Sequence, residues 1–177
     1  MIAHRICSAH LLRKKAIEMT NDLATLTARI GALEDRESIR ELIATYGTLA
    51  DCGDAQALAQ LWCDDGEYEV AGFATAKGHA AIAALIDAPY HRALMASGCA
   101  HALGPVTVNI DGDCATARGH SVVFRHSEGR FEAFRVAANR WTLVRTRAGW
   151  RVAHRANALL DGTVAARMLL APAQPAI

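Results

Sequence analysis

Histidine is the side chain best suited to moving protons near neutral pH, and this chain holds eight of them. Two of these, His120 and His126, stand in a stretch whose alternating hydrophobic pattern predicts a β-strand. Residues at even spacing on a strand share a face, so we expect both imidazoles to point the same way. On the next predicted strand Asn139 and Arg145 share a face by the same rule. A pocket between such strands would combine a proton acceptor with groups that hold oxygen atoms or stabilise negative charge.

The five cysteines indicate neither a disulfide framework nor a structural zinc site, because their number is odd and no C-x-x-C pair occurs. His101, His120, His126 and Asp51 carry donor atoms that metals accept, but no close-spaced ligand pair among them supports a metal site. We therefore expect reduced cysteines that pack as small apolar residues, and no metal. Reduced cysteines also predict a cytoplasmic location.

The length of 177 residues and a hydrophobic content of 52% predict one domain with a core large enough to contain a pocket. Basic and acidic residues nearly balance, at 19 and 18, which leaves a formal charge of +1. Such a chain has no overall attraction to nucleic acid or to an acidic membrane. No apolar run reaches the roughly 20 residues that a membrane span needs. Nucleic acid and membrane are therefore not expected as partners.

Hydrophobic spacing predicts helices in the first half of the chain and strands in the second. Leucines and isoleucines three and four apart predict a long helix that ends near Asp51, and a short helix follows it. Two more helices are predicted on either side of Pro89. The predicted strands cover residues 67–73, 106–110, 114–126, 131–147 and 150–158.

This order predicts an α+β fold: a cone-shaped, curved antiparallel sheet, a meander in its second half, with the N-terminal helices packed on its concave face. Such a sheet and its helices enclose a pocket that suits a small hydrophobic ligand. We interpret residues 19–170 as a single α+β barrel domain. Residues 1–18 are basic and precede a helix-start signal after Met19, so we interpret them as a disordered or non-native extension. Residues 171–177 are expected to form a frayed tail.

Three segments resemble the SnoaL-like domain family of the nuclear transport factor 2-like superfamily. They are DRESIRELI at 35–43, LWCDD at 61–65 and LVRTRAGWRVAHR at 143–155. The likeness spans about residues 30–160 and implies the same cone-shaped α+β fold. It implies less about the reaction, since this scaffold supports many chemistries.

Within the family, the pattern is similar to scytalone dehydratases, bile-acid 7α-dehydratases and hexachlorocyclohexane dehydrochlorinases. These enzymes eliminate a small group from a ring with a His–Asp pair and no cofactor. The resemblance implies that His101 is the base and that Asp51 fixes its tautomer and stabilises its charged form. The bile-acid dehydratases have a tyrosine five residues before the aspartate, which corresponds to Tyr46. We expect Tyr46 to polarise a carbonyl or to donate to a leaving oxygen.

The same resemblance implies three substrate-binding residues, and the strand pattern adds a fourth. His126 and Asn139 match positions of scytalone dehydratase, and Arg145 is the candidate for the arginine of the dehydrochlorinase. His120 joins them because it shares a predicted strand face with His126. Each has an ordinary structural alternative, such as a strand-end polar residue for Asn139 or a solvated basic face for Arg145.

Together these features favour a cofactor-independent lyase or isomerase that carries out a dehydratase-type elimination on a small hydrophobic cyclic or polyketide-like substrate. The resemblance also implies a homo-oligomer, with a trimer preferred over a dimer. Two alternatives remain open: a non-catalytic ligand-binding protein, and the small subunit of an aromatic-ring dioxygenase, which has the same fold.

Overall fold

The computed structural model describes the backbone of residues 2–70 and 73–172, and the side chains of those residues from Met19 onward. It divides into two units, of which the first ends at Glu37 and the second begins at Ser38. The side chains of residues 1–18 and all of residues 173–177 lie outside this description. That the natural protein begins at Met19, and that its last residues fray, therefore stay predictions.

The described chain alternates between helices and strands in the expected order. Its helices are α1 (Ile2–Cys52), α2 (Ala55–Ala59), α3 (Gly78–Asp87), α4 (Pro89–Ser97) and α5 (Val164–Leu170). Its strands are β1 (Trp62–Val70), β2 (Ala74–Lys77), β3 (Cys99–Asp111), β4 (Cys114–Ser127), β5 (Arg130–Thr146) and β6 (Gly149–Leu159). Helix α5, strand β2 and the first half of β3 were not predicted. None of the described helices is both long enough and apolar enough to cross a membrane.

The six strands form one curved sheet in the order β2-β1-β6-β5-β4-β3. Neighbouring strands are antiparallel, which confirms the expected meander, except that β1 and β6 run parallel. Because β2 and β3 each have a single neighbour, the sheet is open and does not close into the barrel that we expected. The fold is nevertheless the α+β arrangement of N-terminal helices against a curved sheet that the sequence predicts.

One face of the sheet, here called the inner face, carries the main hydrophobic core. On β5 the large side chains Trp141 and Leu143 stand opposite the small residues Ala117 and Ala115 of β4, which leaves room for the helices. Helices α1, α2 and α3 add apolar side chains to the same cluster. The fully buried large members of this core are Trp62, Trp141, Ile39, Ile43, Leu58, Ile82, Leu143 and Val152.

The outer face of the sheet is covered by α5, through a smaller cluster around Ala138, Ala158 and Ala166. The guanidinium of Arg140 on β5 donates to the carbonyl oxygens of Met168, Leu169 and Ala171 at 2.7, 3.0 and 2.7 Å. These carbonyls end the helix and have no partner within it, so one arginine fastens its C-terminus to the sheet. The sequence predicts only an apolar stretch here, because the cap comes from a residue far away in the chain.

Strand β3 has 13 residues and is more than twice as long as the predicted segment 106–110, since it begins at Cys99. The β3–β4 register shifts between Leu103 and Val106, where Gly104 and Pro105 interrupt the alternation. A strand with such a break does not show one continuous alternating pattern. This extension matters for the site, because it contains His101.

Helix α1 approaches β3 unusually closely at Gly47. A Cβ atom added at Gly47 would lie 2.2 Å from the carbonyl oxygen of His101 and 3.0 Å from Cδ2 of Leu103. Only glycine allows the helix backbone to lie this near the strand. The contact sets how far the end of α1 stands from His101.

We expect Gly47→Ala to lower the free energy of unfolding by about 1–3 kcal/mol, because the added methyl group forces the helix away from β3. The control is Gly31→Ala on the same helix, where an added Cβ meets nothing within 4 Å. That change should leave stability unaltered or raise it by up to about 1 kcal/mol through helix propensity. Urea denaturation measures both variants. Equal effects of the two substitutions would show that the approach at Gly47 is not tight.

Candidate active site

Asp51 and His101, which are far apart in the sequence, form a hydrogen-bonded pair. Asp51 lies in the last turn of α1, and its Oδ1 is 2.6 Å from Nδ1 of His101 on β3. Its second oxygen, Oδ2, accepts the backbone N–H of His101 at 2.8 Å. The two side chains are 28% and 12% exposed, so both oxygens of the carboxylate are held in a largely enclosed place. The structure thus brings together the two residues that the resemblance paired.

The pairing determines which nitrogen of His101 carries the proton. A carboxylate only accepts hydrogen bonds, so in the neutral ring Nδ1 holds the hydrogen and Nε2 keeps a free lone pair. The ring itself lines a cavity on the inner face. Neutral His101 is therefore arranged as a proton acceptor whose charged form is stabilised by Asp51.

The cavity has a volume of about 650 Å³ and lies between α3, α4 and the sheet. Its walls are mainly apolar and include Val70, Leu85, Ile86, Leu103, Val123 and Phe134. A volume in this range accommodates a small organic molecule.

Tyr46 lines the same cavity and is nearly buried. Its ring packs edge-on against Tyr68 and Trp141, with centroids 6.2 and 6.1 Å away. Burial raises the pKa of the neighbouring Tyr68, so that phenol stays protonated at neutral pH. Tyr46 is therefore both a core residue and a cavity residue.

His126 and Asn139 occupy different kinds of position. His126 lines the cavity at the end of β4, beside Phe131, whose ring centroid is 5.1 Å away. Asn139 is fully buried below the cavity wall and does not reach the open space. Its Oδ1 accepts from Nη2 of Arg155 at 2.8 Å, and its Nδ2 donates to Oγ of Ser121 at 2.9 Å. Asn139 therefore supports cavity residues and does not itself contact the space where a ligand would lie.

His120 and Arg145 lie away from the cavity, contrary to the placement that we expected. Ser121 and Val123 of β4 line the cavity, so His120 falls on the outer face, where it is exposed. The β4–β5 register shifts between Val123 and Phe124, but the extra residue, Phe134, belongs to β5. His126 reaches the cavity from the end of β4, where its backbone N–H donates to the carbonyl oxygen of Gly98 at 2.8 Å.

The exposed Arg145 lies near the far hairpin of the sheet. Its Nε donates to Oδ1 of Asp113 at 3.0 Å, and its guanidinium lies 4.4 Å from the ring centroid of Trp150. The solvated alternative weighed for Arg145 matches this position.

Sequence reasoning missed Arg155 and Asn157, which lie on the inner face next to the cavity. The reason is a register shift in β6 between Val152 and His154. Simple alternation from Trp150 and Val152 would place Arg155 on the outer face, whereas the bulge returns it to the inner one. No signal in the local sequence announces this irregularity.

His91 on α4 is buried and lines the cavity. Its Nδ1 is 3.0 Å from the carbonyl oxygen of Ile86, and a carbonyl only accepts, so Nδ1 carries the proton. Nε2 is then a buried acceptor, and it has no partner among the described residues. Its ring centroid is 5.4 Å from that of His101. Burial, followed by the nearby His101, lowers the pKa of His91.

Asp51, Cys99 and His101 place three potential metal-ligand atoms within 4.8 Å of one another. Burial, together with the adjacent Asp51, raises the pKa of the Cys99 thiol to about 11. The thiol donates to Oδ1 of Asp51 at 3.5 Å. We interpret the three residues as a hydrogen-bonded cluster that orients the carboxylate.

The profile of the SnoaL-like domain family matches residues 31–156. The chain belongs to this family. Membership points to a small-molecule isomerase, a dehydratase or a ligand-binding protein. Asp51 and His101 both lie within the matched part of the SnoaL-like domain.

Solved structures show the same fold. An NTF2-like protein with a cystatin-like fold from Novosphingobium aromaticivorans is 67% identical over 85% of this chain and 97% of its own, with a TM-score of 0.83. A protein from Catenulispora acidiphila in complex with S-DNPA is 20% identical, covering 76% of this chain and 98% of its own, with a TM-score of 0.65. A protein of unknown function from Nostoc punctiforme is 16% identical, covering 74% and 95%, with a TM-score of 0.61. The comparison with curated proteins found no match.

The lowered pKa of His91 makes the stability of the SnoaL-like domain depend on pH. In the unfolded chain His91 takes up a proton below about pH 6.5, but the folded site resists that proton. The contribution of neutral His91 to the free energy of unfolding is therefore fully present above the pKa of histidine in the unfolded chain. It is lost as the pH falls below that value. His91→Asn removes the titration, while its amide can still donate to Ile86. We expect the variant to lose less unfolding free energy than the wild type between about pH 7.5 and pH 5.5 in urea titrations. An identical loss in both proteins would contradict the burial of a neutral His91.

Proposed function

We propose that this protein is a cofactor-independent lyase or isomerase that removes a proton beside a carbonyl group of a small hydrophobic cyclic molecule and eliminates a hydroxyl group. The observation that supports this most directly is the Asp51–His101 pair, joined at 2.6 Å on the wall of a cavity of about 650 Å³. Proton removal of this kind needs a base whose pKa lies near the working pH, and histidine has one.

The proposed reaction uses His101 twice. Nε2 takes the proton from the carbon atom next to the carbonyl, and the C–H electrons move toward the carbonyl oxygen to form an enolate. As the enolate collapses, the C–O bond to the hydroxyl breaks, and the leaving oxygen takes up the imidazolium proton, either directly or through the Tyr46 hydroxyl, which gives its own proton and receives that of the imidazolium. Asp51 stabilises the imidazolium in between. The products are the conjugated carbonyl compound and water, so the atoms balance without an oxidant or reductant.

The remaining cavity residues suit the binding of such a substrate. Tyr46 offers a phenolic hydroxyl, and His126 offers an imidazole near the end of β4. Either can hold a substrate oxygen, while the apolar walls receive the ring.

Replacing His101 by Ala should lower turnover by a factor on the order of 10³, because the base is lost. The assay is the absorbance of the conjugated enone formed from a panel of β-hydroxylated cyclic ketones. His120→Ala is the matched control, since His120 is exposed on the outer face, and its turnover should equal that of the wild type. Full activity of His101→Ala would reject the proposed base, and binding without turnover in the wild type would favour a ligand-binding protein.

Asp51→Asn tests the tautomer. The backbone N–H of His101 donates to one oxygen of Asp51, so the asparagine must keep its oxygen there and turn its NH₂ toward Nδ1. Nδ1 then accepts, Nε2 carries the hydrogen, and the ring cannot take a proton from substrate. We expect turnover to fall about 10²–10⁴-fold with little loss of folding stability. Unchanged turnover in this variant would contradict the role of Asp51.

The expected homo-oligomer is supported by an exposed apolar row on α1. Met19, Leu23, Leu26, Ile30 and Leu33 follow one another at alternating spacings of four and three, and each is exposed by half or more. This is the spacing of the apolar positions in a coiled coil, which buries such a row against copies of the same helix. Arg29 and Glu34 flank the row with opposite charges. They are five residues apart, the spacing at which charged side chains of neighbouring parallel helices pair in a coiled coil.

Light scattering during gel filtration tests the assembly. We expect an oligomeric mass, with a trimer preferred, for the wild type and for Ala28→Glu, which lies on the opposite side of the helix. Ile30→Glu places a charge in the row and should shift the mass toward the monomer. A monomeric wild type would contradict the assembly.

A further inference from the structure

Three arginines line the cavity, and two of them have no ion-pair partner among the side chains that the structure describes. Arg125 donates through Nε to Glu132 at 3.0 Å, so its charge is balanced. Arg135 and Arg155 have no carboxylate of the described chain within ion-pairing distance. The cavity therefore has two positive charges that the described protein does not neutralise.

Arg155 is held rigidly below the cavity. It is 2% exposed, and its Nε and Nη2 donate to Oδ1 of Asn139. Its guanidinium lies 4.1, 4.6 and 4.0 Å from the ring centroids of Tyr46, Tyr68 and Trp141. The strand register explains this enclosure, because Arg155 stands between Tyr68 on β1 and Trp141 on β5. Its Nη1 is buried and has no hydrogen-bond partner in the described chain.

Arg135 is anchored at one end only. Its Nη2 donates to Oδ1 of Asn157 at 3.1 Å, and Asn157 in turn donates to the hydroxyl of Tyr68 at 2.8 Å. Its Nε is buried and lacks a partner among the described groups. Each of the two guanidiniums thus has one buried N–H group without an acceptor in the described chain.

A buried cation without a counter-charge is unfavourable, and aromatic rings offset only part of that cost. The missing contribution has the chemistry of an anion, whose oxygens accept charge-assisted hydrogen bonds from guanidinium N–H groups. The histidine–aspartate pair cannot supply it, because both oxygens of Asp51 are already engaged by His101.

We propose that the cavity binds an organic carboxylate, held by the guanidinium of Arg135, which lines the cavity and is only partly buried, with the positive charge of Arg155 beneath it. The apolar remainder of the ligand then lies against walls such as Leu85, Ile86 and Leu103. The idea that the carboxylate is a substrate, on which His101 acts, rests on the proposed function. The binding of the carboxylate itself does not depend on that reaction.

A matched pair of probes tests the site on the wild-type protein. Cyclohexanecarboxylate and cyclohexanecarboxamide have the same ring, but only the first is charged at pH 7. We expect the carboxylate to bind about 10-fold or more tightly than the amide, because its hydrogen bonds to the guanidiniums are charge-assisted. Nitrogen-15 NMR of the arginine side chains reports the contact, and the Nε–H signal of Arg135 should move on addition of the carboxylate.

Variants then assign the effect to the arginine pair. Arg135→Gln should weaken the binding of the carboxylate by about 10-fold and change the affinity for the amide by no more than about twofold. Arg130→Gln is the matched control on the same strand, where the side chain is exposed, and it should change neither affinity. Three results would overturn the proposal. They are equal affinity of the wild type for both probes, no binding of the carboxylate, and an Arg135→Gln variant whose affinity for the carboxylate equals that of the wild type. Equal affinities would instead fit guanidiniums that stabilise the enolate oxygen of a neutral ketone.

His101→Gln separates this inference from the proposed reaction. We expect it to keep the preference for the carboxylate and to lose turnover. Undiminished turnover in His101→Gln would contradict the reaction alone, whereas a loss of the carboxylate preference in that variant would contradict an anion site at the arginines.

Discussion

The arrangement of the site depends on one close contact, the approach of α1 to β3 at Gly47. Because no side chain separates the helix from the carbonyl of His101, the last turn of α1 reaches the strand. Asp51 can then engage both the backbone and the ring of His101 at 2.8 and 2.6 Å. Two bonds to one residue fix the carboxylate more firmly than one would, so the imidazole has a defined tautomer before any ligand arrives.

The cavity combines two kinds of polar group, each stabilised differently. His101 and His91 supply imidazole nitrogens, and their proton positions follow from Asp51 and from the carbonyl of Ile86. Arg135 and Arg155 supply positive charge, held by asparagines and aromatic rings. With a proton acceptor and positive charge in one enclosed space, a small molecule can be oriented by few contacts.

Much of the fold follows from the sequence, because long helices and hairpin strands have strong local patterns. The pairing of Asp51 with His101 came from family resemblance, and the geometry agrees with it. What sequence reasoning missed lies at irregularities. A bulge in β6 returns Arg155 to the inner face. His126 lines the cavity from the end of β4, whereas His120, on the same strand, is exposed on the outer face. Bulges depend on how neighbouring strands pair, so a single strand's pattern does not reveal them.

The central claim is that Asp51 holds His101 with its hydrogen on Nδ1 and its lone pair on Nε2. Two-bond proton–nitrogen correlation NMR of the histidine rings measures this directly in the neutral protein. The structure predicts a protonated Nδ1 and an unprotonated Nε2 for His101, the reverse of the tautomer that free imidazole side chains favour. A His101 signal with the hydrogen on Nε2, or with a rapid mixture of the two forms, would contradict the account.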